Sequence, residues 1–282
     1  MTLSIELPEA KILAEQMGKE LVGKRVKDYE LRDCEKLQRI GFINKDKKDF
    51  DQLLGRKVES IVSRGNAIRM KFDGGMNVLL APEYGGEVFY HVREAKDPDR
   101  FHLRLGFSDG TCLTVRFTSM GGLRVLKDSE LASSYMYKRD FNPAILSPVD
   151  DDFTFERFSK LLSCNNKALK AVLVGKDAIV VGLSNSLFQD IIFRAKLHPK
   201  RKASELTKSE QKALYQAVKL VLQERLKLKG KTQFLDLYQK QGGYEAAMGP
   251  SMRNQKCPEC GTPVLELSHG GGKVFVCPKC QV

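Results

Sequence analysis

The first apolar pattern in the chain has helical spacing. Leu13, Met17 and Leu21 share a face, Pro8 suits a first turn, and Glu9 sits where the helix dipole is positive. Gly23 closes the segment, so one N-terminal helix is expected ahead of it. After it the period changes to two. Alternating or short β-rich runs cover 58–63, 67–72, 76–80, 87–92, 101–107 and 112–117, with Asp73-Gly74-Gly75 and Ser108-Asp109-Gly110 as hairpin turns. Up to about residue 138 the pattern predicts a helix followed by an antiparallel β-sandwich or barrel. From Asp150 the spacing is helical again, over 155–163, 167–174, roughly 185–195 and 208 to about 228. Thr207 and Glu210 have the spacing of a capping box at the head of the last segment.

Glycine and proline then loosen the pattern at Gly242-Gly243 and Gly249-Pro250, and a cysteine-rich tail follows Lys256. Three modules are expected: β-rich over 1–138, helical over 139–250, and a small metal-held tail over 251–282. A length of 282 residues fits about two domains and a short appendage.

Charge narrows the partners. Lys and Arg number 47 against 35 Asp and Glu, a net charge of +12, which attracts polyphosphate, nucleic acid or an anionic membrane surface. No apolar run is long enough to span a membrane, and Met1-Thr2-Leu3-Ser4-Ile5-Glu6 lacks the basic start and apolar stretch of a signal peptide. The expectation is a soluble cytoplasmic protein with no membrane partner. Three cysteines are scattered (Cys34, Cys112, Cys164) and four lie in the last 26 residues, a distribution that favours metal over disulfides.

Cys257-Pro258-Glu259-Cys260, sixteen residues, then Cys277-Pro278-Lys279-Cys280 is the spacing of a four-cysteine zinc site. Two tight turns each present two thiolates to one tetrahedral ion, and the intervening chain reads as a β-hairpin with Gly270-Gly271-Gly272-Lys273 at its tip. With every ligand position filled by protein, one structural Zn²⁺ is expected. The tip is either a phosphate contact, through Lys273 and close backbone approach, or a solvated turn. Gly182-Leu183-Ser184-Asn185 is a small-residue turn opening a helix, where backbone N–H groups and Asn185 can hold a phosphate or merely cap.

Taken in order, these modules resemble the formamidopyrimidine-DNA glycosylase/endonuclease VIII family of base-excision repair enzymes. Val180-Val181-Gly182-Leu183-Ser184-Asn185-Ser186-Leu187 with Leu197-His198-Pro199 is similar to the family's helix–two-turn–helix segment, and the stretch from Cys257 to Gln281 to its zinc finger. Ile5-Glu6-Leu7-Pro8-Glu9 resembles its N-terminal signature and Ser63-Arg64-Gly65-Asn66 its Arg-Gly-Lys strand motif. The implied fold is α+β and multidomain: an N-terminal helix with an antiparallel β-sandwich, a helix–two-turn–helix domain, and a four-cysteine zinc-finger hairpin.

The resemblance implies double-stranded DNA, damaged or abasic, as partner, bound by a monomer with one groove. It also implies a mechanism: an N-terminal proline amine attacks the sugar C1′ of a flipped nucleotide, the adjacent glutamate handles protons, and β-elimination cuts the strand. Glu6 matches that catalytic glutamate. Asn185 matches the phosphate-binding asparagine, Lys273 stands beside Gly272 where the finger-tip arginine falls, and Asn66 stands at the strand lysine. Tyr84, in Pro82-Glu83-Tyr84-Gly85, reads either as a wedge into the base stack or as an aromatic at a sheet edge.

Departures accompany the matches. The nucleophile position is Ile5, an internal residue whose amide nitrogen is not nucleophilic, and the gap-filling Arg-Phe pair has no counterpart in Phe117-Thr118-Ser119-Met120-Gly121-Gly122. Two readings of function follow: a repair glycosylase, monofunctional if Glu6 activates water, or an inactive sensor of damaged DNA or structured RNA on the same scaffold. A zinc-ribbon adaptor for protein partners explains only the cysteines. Glu9 reads equally as a charge on the helix end or as part of the site, Asp190 as structural, and His198 as a packing or capping residue. Lys196, Lys200, Arg201 and Lys202 form a basic run that faces either phosphates or solvent.

Overall fold

In a computed structural model, which describes residues 4–93, 98–118 and 121–282, the chain opens on α1 (Leu7–Leu21). Its buried face, Leu7, Ala10, Leu13, Ala14, Met17 and Leu21, lies on the sheet built from β2 (Val58–Arg64) and β3 (Ala67–Phe72). That sheet continues through β4 (Met76–Ala81) to β8 (Gly122–Lys127), in the antiparallel order β2-β3-β4-β8. All six residues of β4 are buried, so both faces of the sheet are covered there. A second antiparallel sheet has the order β1-β6-β7-β5, from β1 (Val26–Leu31), β5 (Glu87–His91), β6 (Leu103–Phe107) and β7 (Cys112–Arg116). The short helices α2 (Glu35–Arg39), α3 (Asp128–Leu131) and α4 (Tyr135–Asp140) complete this part.

The chain forms two compact units. The first comprises residues up to Asn142 together with Lys229–Gly243. The returning segment is tied to α1 by the Gln16 amide, which donates to the Asp236 carboxylate at 2.8 Å and accepts the Leu237 N–H at 3.0 Å. Such a two-way amide clamp fixes both position and direction.

The second unit comprises Pro143–Leu228 and Tyr244–Val282. It holds α5 (Phe155–Ser163), α6 (Leu169–Val174), α7 (Asn185–Arg194) and α8 (Lys208–Lys227), followed by the hairpin of β9 (Leu265–His269) and β10 (Gly272–Val276). Helix α5 occupies the predicted 155–163 at both ends, with the Thr154 hydroxyl capping the Arg157 N–H at 3.3 Å. The capping box forms: Thr207 Oγ1 accepts the Glu210 N–H at 3.3 Å and the Glu210 carboxylate accepts the Thr207 N–H at 2.7 Å. Leu187, Phe188, Ile191 and Ile192 of α7 and Leu214, Val218, Val221 and Leu222 of α8 are all buried. Asp190, 1 % exposed, accepts from the Tyr244 hydroxyl, the Ala247 N–H and Arg194, and so fastens the returning chain to α7. Among the described residues no helix is long and apolar enough to cross a membrane.

Candidate active site and nucleic-acid interface

In the first unit the chemistry gathers at the head of α1. Glu6 is the N-cap residue and is 1 % exposed; Glu9, three positions on, is 0 % exposed. One Glu9 oxygen accepts the Glu6 N–H at 3.2 Å and the other accepts the backbone N–H of Lys231 at 3.2 Å. Glu9 thus does more than meet the helix dipole: it holds two distant pieces of backbone side by side. As a result the Lys231 amine lies 3.7 Å from Glu6 Oε2, and it also donates to the Ser4 hydroxyl. The sequence carried no signal for Lys231, because its neighbours in this site are brought to it by folding alone.

Ile5 is buried, and its amide donates to the Glu83 carbonyl at 3.2 Å while Ser4 bridges Tyr84 in antiparallel fashion. The N-terminal segment is therefore stitched to the loop carrying Tyr84. That side chain is 37 % exposed and its carbonyl accepts the Thr118 N–H at 2.9 Å. Burial, then the charges of Glu6 and Glu83, push the Tyr84 phenol up, which places it in the field of the same carboxylate. Of the stretch compared with the gap-filling pair, Ser119 and Met120 lie outside the described residues.

Asn66 stands in the β2–β3 turn. The turn is braced by Arg64, which donates to the carbonyls of Asp140 and Asn142 at 2.7 and 2.9 Å. The Asp140 carboxylate accepts the Asn66 backbone N–H and pairs with Arg139, whose other nitrogen reaches Glu83. Burial opposes the Arg139 charge, but Asp140 and Glu83 outweigh it and hold the guanidinium firmly protonated. The Asn66 side-chain oxygen is buried without a hydrogen-bond partner, an acceptor with unused capacity. Gly65 makes this turn possible: its φ is +56°, and a Cβ there would stand 2.5 Å from Asp140 Oδ1. Gly65→Ala is expected to destabilise the first unit by about 1–3 kcal/mol from backbone strain alone, read as a lowered midpoint in thermal unfolding.

In the second unit the four cysteine sulfurs lie within 4.8 Å of one another, with Cys260–Cys277 at 3.5 Å and Cys257–Cys280 at 3.9 Å. Tetrahedral zinc with bonds of about 2.3 Å needs sulfurs about 3.8 Å apart, so the donor set and its spacing fit one structural ion. Gln281 supports the knuckle, accepting the Cys277 N–H at 2.9 Å and donating to the Leu197 carbonyl at 3.0 Å. Beneath it Phe193, Met248, Cys257, Phe275 and Cys277 form one buried cluster.

The hairpin docks on the head of α7. Ser184 caps that helix, Gly182 takes φ +79° in the turn before it, and Asn185 Nδ2 donates to the Lys273 carbonyl at 3.0 Å. Gln189 accepts the Phe275 N–H at 2.8 Å. The Asn185 oxygen is buried without a partner. The Lys273 side chain is 59 % exposed and pairs with Glu266 at 2.6 Å on the surface. Lys170 carries no motif of its own: its amine donates to the His269 carbonyl and lies 3.4 Å from where a Cβ on Gly272 would stand, which brings a cation to the finger tip. Lys196, Arg201 and Lys202 are paired with Glu259, Glu210 and Glu205, and His198 Nδ1 accepts the Lys200 N–H at 3.3 Å.

Three family models match in sequence order: the formamidopyrimidine-DNA glycosylase N-terminal domain over 5–120, its H2TH domain over 146–235, and the zinc finger found in FPG and IleRS over 254–282. The chain belongs to the formamidopyrimidine-DNA glycosylase family. Curated formamidopyrimidine-DNA glycosylases from Ligilactobacillus salivarius and Heliobacterium modesticaldum are 26% and 27% identical, with 98% of this chain covered and 98% and 99% of theirs. The same fold is seen in a Lactococcus lactis Fpg solved with abasic-site DNA, at TM-score 0.83 and 20% identity, covering 98% of this chain and 99% of that one. A Thermus thermophilus MutM (Fpg) gives 0.81 and 22%, covering 98% of each. The glycosylase N-terminal match begins at Ile5, the residue whose amide is bonded to Glu83. In this formamidopyrimidine-DNA glycosylase family member, the buried carboxylate of Glu6 is faced by a side-chain amine from Lys231.

Proposed function

We propose that the protein recognises damaged or abasic duplex DNA, with Glu6 as the carboxylate that moves protons at the sugar of an extruded nucleotide. The observation that carries this reading is the Glu6 carboxylate, buried at the N-cap of α1 and backed by Glu9, within the span that matches the glycosylase N-terminal domain. The neighbours solved with abasic or damaged DNA share the fold and support the choice of partner. Asn185, whose amide nitrogen binds the finger and whose buried oxygen is unsatisfied, Lys273 and Lys170 are the groups proposed to meet backbone phosphates, and Asn66 and Tyr84 to face the nucleic acid from the first unit. A net charge of +12 supplies the non-specific part of the affinity.

A second reading, an inactive damage sensor, is favoured by one observation: the Ile5 nitrogen is an engaged amide donor, so no amine stands at that position. Binding to duplexes carrying an abasic site, an oxidised purine or an oxidised pyrimidine, measured across salt concentrations, tests both. Preferential, salt-dependent binding is expected. Asn185→Ala should weaken it about tenfold, the loss of roughly one hydrogen bond near charge. Base release abolished by Glu6→Gln supports the enzyme, binding without release supports the sensor, and failure to bind any duplex removes both readings.

A further inference from the structure

We propose that Lys231 Nζ is the amine nucleophile of this protein, attacking C1′ of an opened abasic site; the inference rests on the DNA reading above. It stands on a juxtaposition. A lysine side chain only 11 % exposed is held with its amine 3.7 Å from a carboxylate 1 % exposed; Glu6 lies one residue inside the N-terminal family match and Lys231 near the end of the H2TH match. Burying an amine and a carboxylate together costs free energy unless each is further bonded. Here the arrangement is built deliberately: Glu9, itself fully buried, spends both oxygens on the backbone N–H groups of Glu6 and Lys231, and Gln16 anchors the following turn. A lysine amine is one of the few side chains that forms a Schiff base with a carbonyl, and an opened abasic sugar presents an aldehyde at C1′.

The steps balance. Lys231 passes one proton to Glu6, and the neutral amine adds to the C1′ aldehyde, forming a C–N bond. The proton on nitrogen moves to the oxygen, Glu6 returns its own proton to the same oxygen, and water leaves, giving the iminium. The Glu6 carboxylate then removes a C2′ proton, the electron pair forms the C2′–C3′ double bond, and the C3′–O bond breaks with departure of the 3′ phosphate. Hydrolysis of the imine restores Lys231. No metal, oxidant or second substrate beyond water enters.

The test uses the full zinc-loaded chain with a duplex containing one abasic site, in the presence of borohydride, which reduces the iminium to a stable secondary amine. A covalent complex is expected, and peptide mapping should place the adduct on Lys231. Lys231→Gln and Lys231→Arg should each lower trapping by about a hundredfold or more. Both keep the backbone N–H that Glu9 accepts, and Lys231→Arg keeps a positive charge beside Glu6, so thermal unfolding and abasic-duplex affinity on the same preparations separate lost chemistry from lost fold. Binding without trapping, or an adduct mapped to the terminal amine or another lysine, overturns the proposal and leaves the DNA reading intact. Failure to bind any duplex overturns both.

Discussion

Stripping zinc is expected to unfold the C-terminal finger and to lower duplex affinity by about a hundredfold, or roughly 3 kcal/mol. The finger's own core is small. Of β9 no residue is fully buried, and the buried side chains of β10, Val274, Phe275 and Val276, come with only Cys257 and Cys277 from the knuckles. In isolated zinc fingers the metal supplies about 10–16 kcal/mol, which is the folding free energy of such a module. The damage should spread in a defined direction. Without the hairpin, Asn185 loses the Lys273 carbonyl, Gln189 loses the Phe275 N–H, and Lys170 loses His269, so every group proposed to meet phosphate in the second unit is released together. The α7–α8 core, with Leu187, Phe188, Leu214 and Val218 buried, should persist. Titration with a strong chelator, followed by metal release, circular dichroism and duplex binding, checks this, with Cys277→Ser as the genetic counterpart. Zinc content far from one per chain, or metal-free protein binding DNA as tightly as the holo form, would contradict it.

The same finger shows what a sequence can carry. Cys257, Cys260, Cys277 and Cys280 were legible because the metal's geometry is encoded in local spacing, two knuckles and a hairpin of fixed length. Most of the period-two runs were legible because they have a buried face, as Ala67–Phe72 shows with Ile68, Met70 and Phe72 inward, whereas Val58–Arg64 buries Val58 alone and was legible from its β-branched Val58, Ile61 and Val62. Strand β1 was not: after Val26 its residues are exposed or half-buried, and as the edge of its sheet it pairs with β6 alone, so no alternation betrays it. Strand β8 opens within the Gly121-Gly122 pair, where glycine marks a turn more readily than a strand, and it too ends its sheet. In the site, Glu6 and Asn185 sit within contiguous motifs. Lys231 does not: it is 222 positions from Glu9, in a segment that the helical pattern assigns to the middle of the chain and that packs with the first unit. Lys170 is likewise 99 positions from His269. Chemistry carried by one motif is readable, whereas chemistry assembled by long-range backbone hydrogen bonds is not.

Glu9 is where those two kinds of information meet, and Glu9→Ala is expected to lower the thermal midpoint of the first unit and to abolish trapping. The carboxylate is fully buried and both oxygens accept backbone N–H groups, from Glu6 and from Lys231, each at 3.2 Å. Removing it leaves two buried donors unmet at about 1–3 kcal/mol each, and the lost side chain leaves a void besides. For a unit of this size that corresponds to a midpoint lower by roughly 4–24 °C. Glu9→Gln discriminates stability from positioning. It is nearly isosteric and keeps one acceptor, but its amide nitrogen must face one of the two N–H groups, so Glu6 and Lys231 can no longer both be held. The expected result is a smaller loss of stability than for alanine, with trapping reduced about tenfold or more. The measurement pairs differential scanning calorimetry with single-turnover borohydride trapping on an abasic duplex. If Glu9→Gln melts lower but traps at the original rate, Glu9 is a structural cap and the spacing of Glu6 from Lys231 is set elsewhere. If trapping falls while the midpoint holds, Glu9 is a positioning residue, and the buried carboxylate at the third position of α1 exists to bring an amine from the far end of the sequence against Glu6.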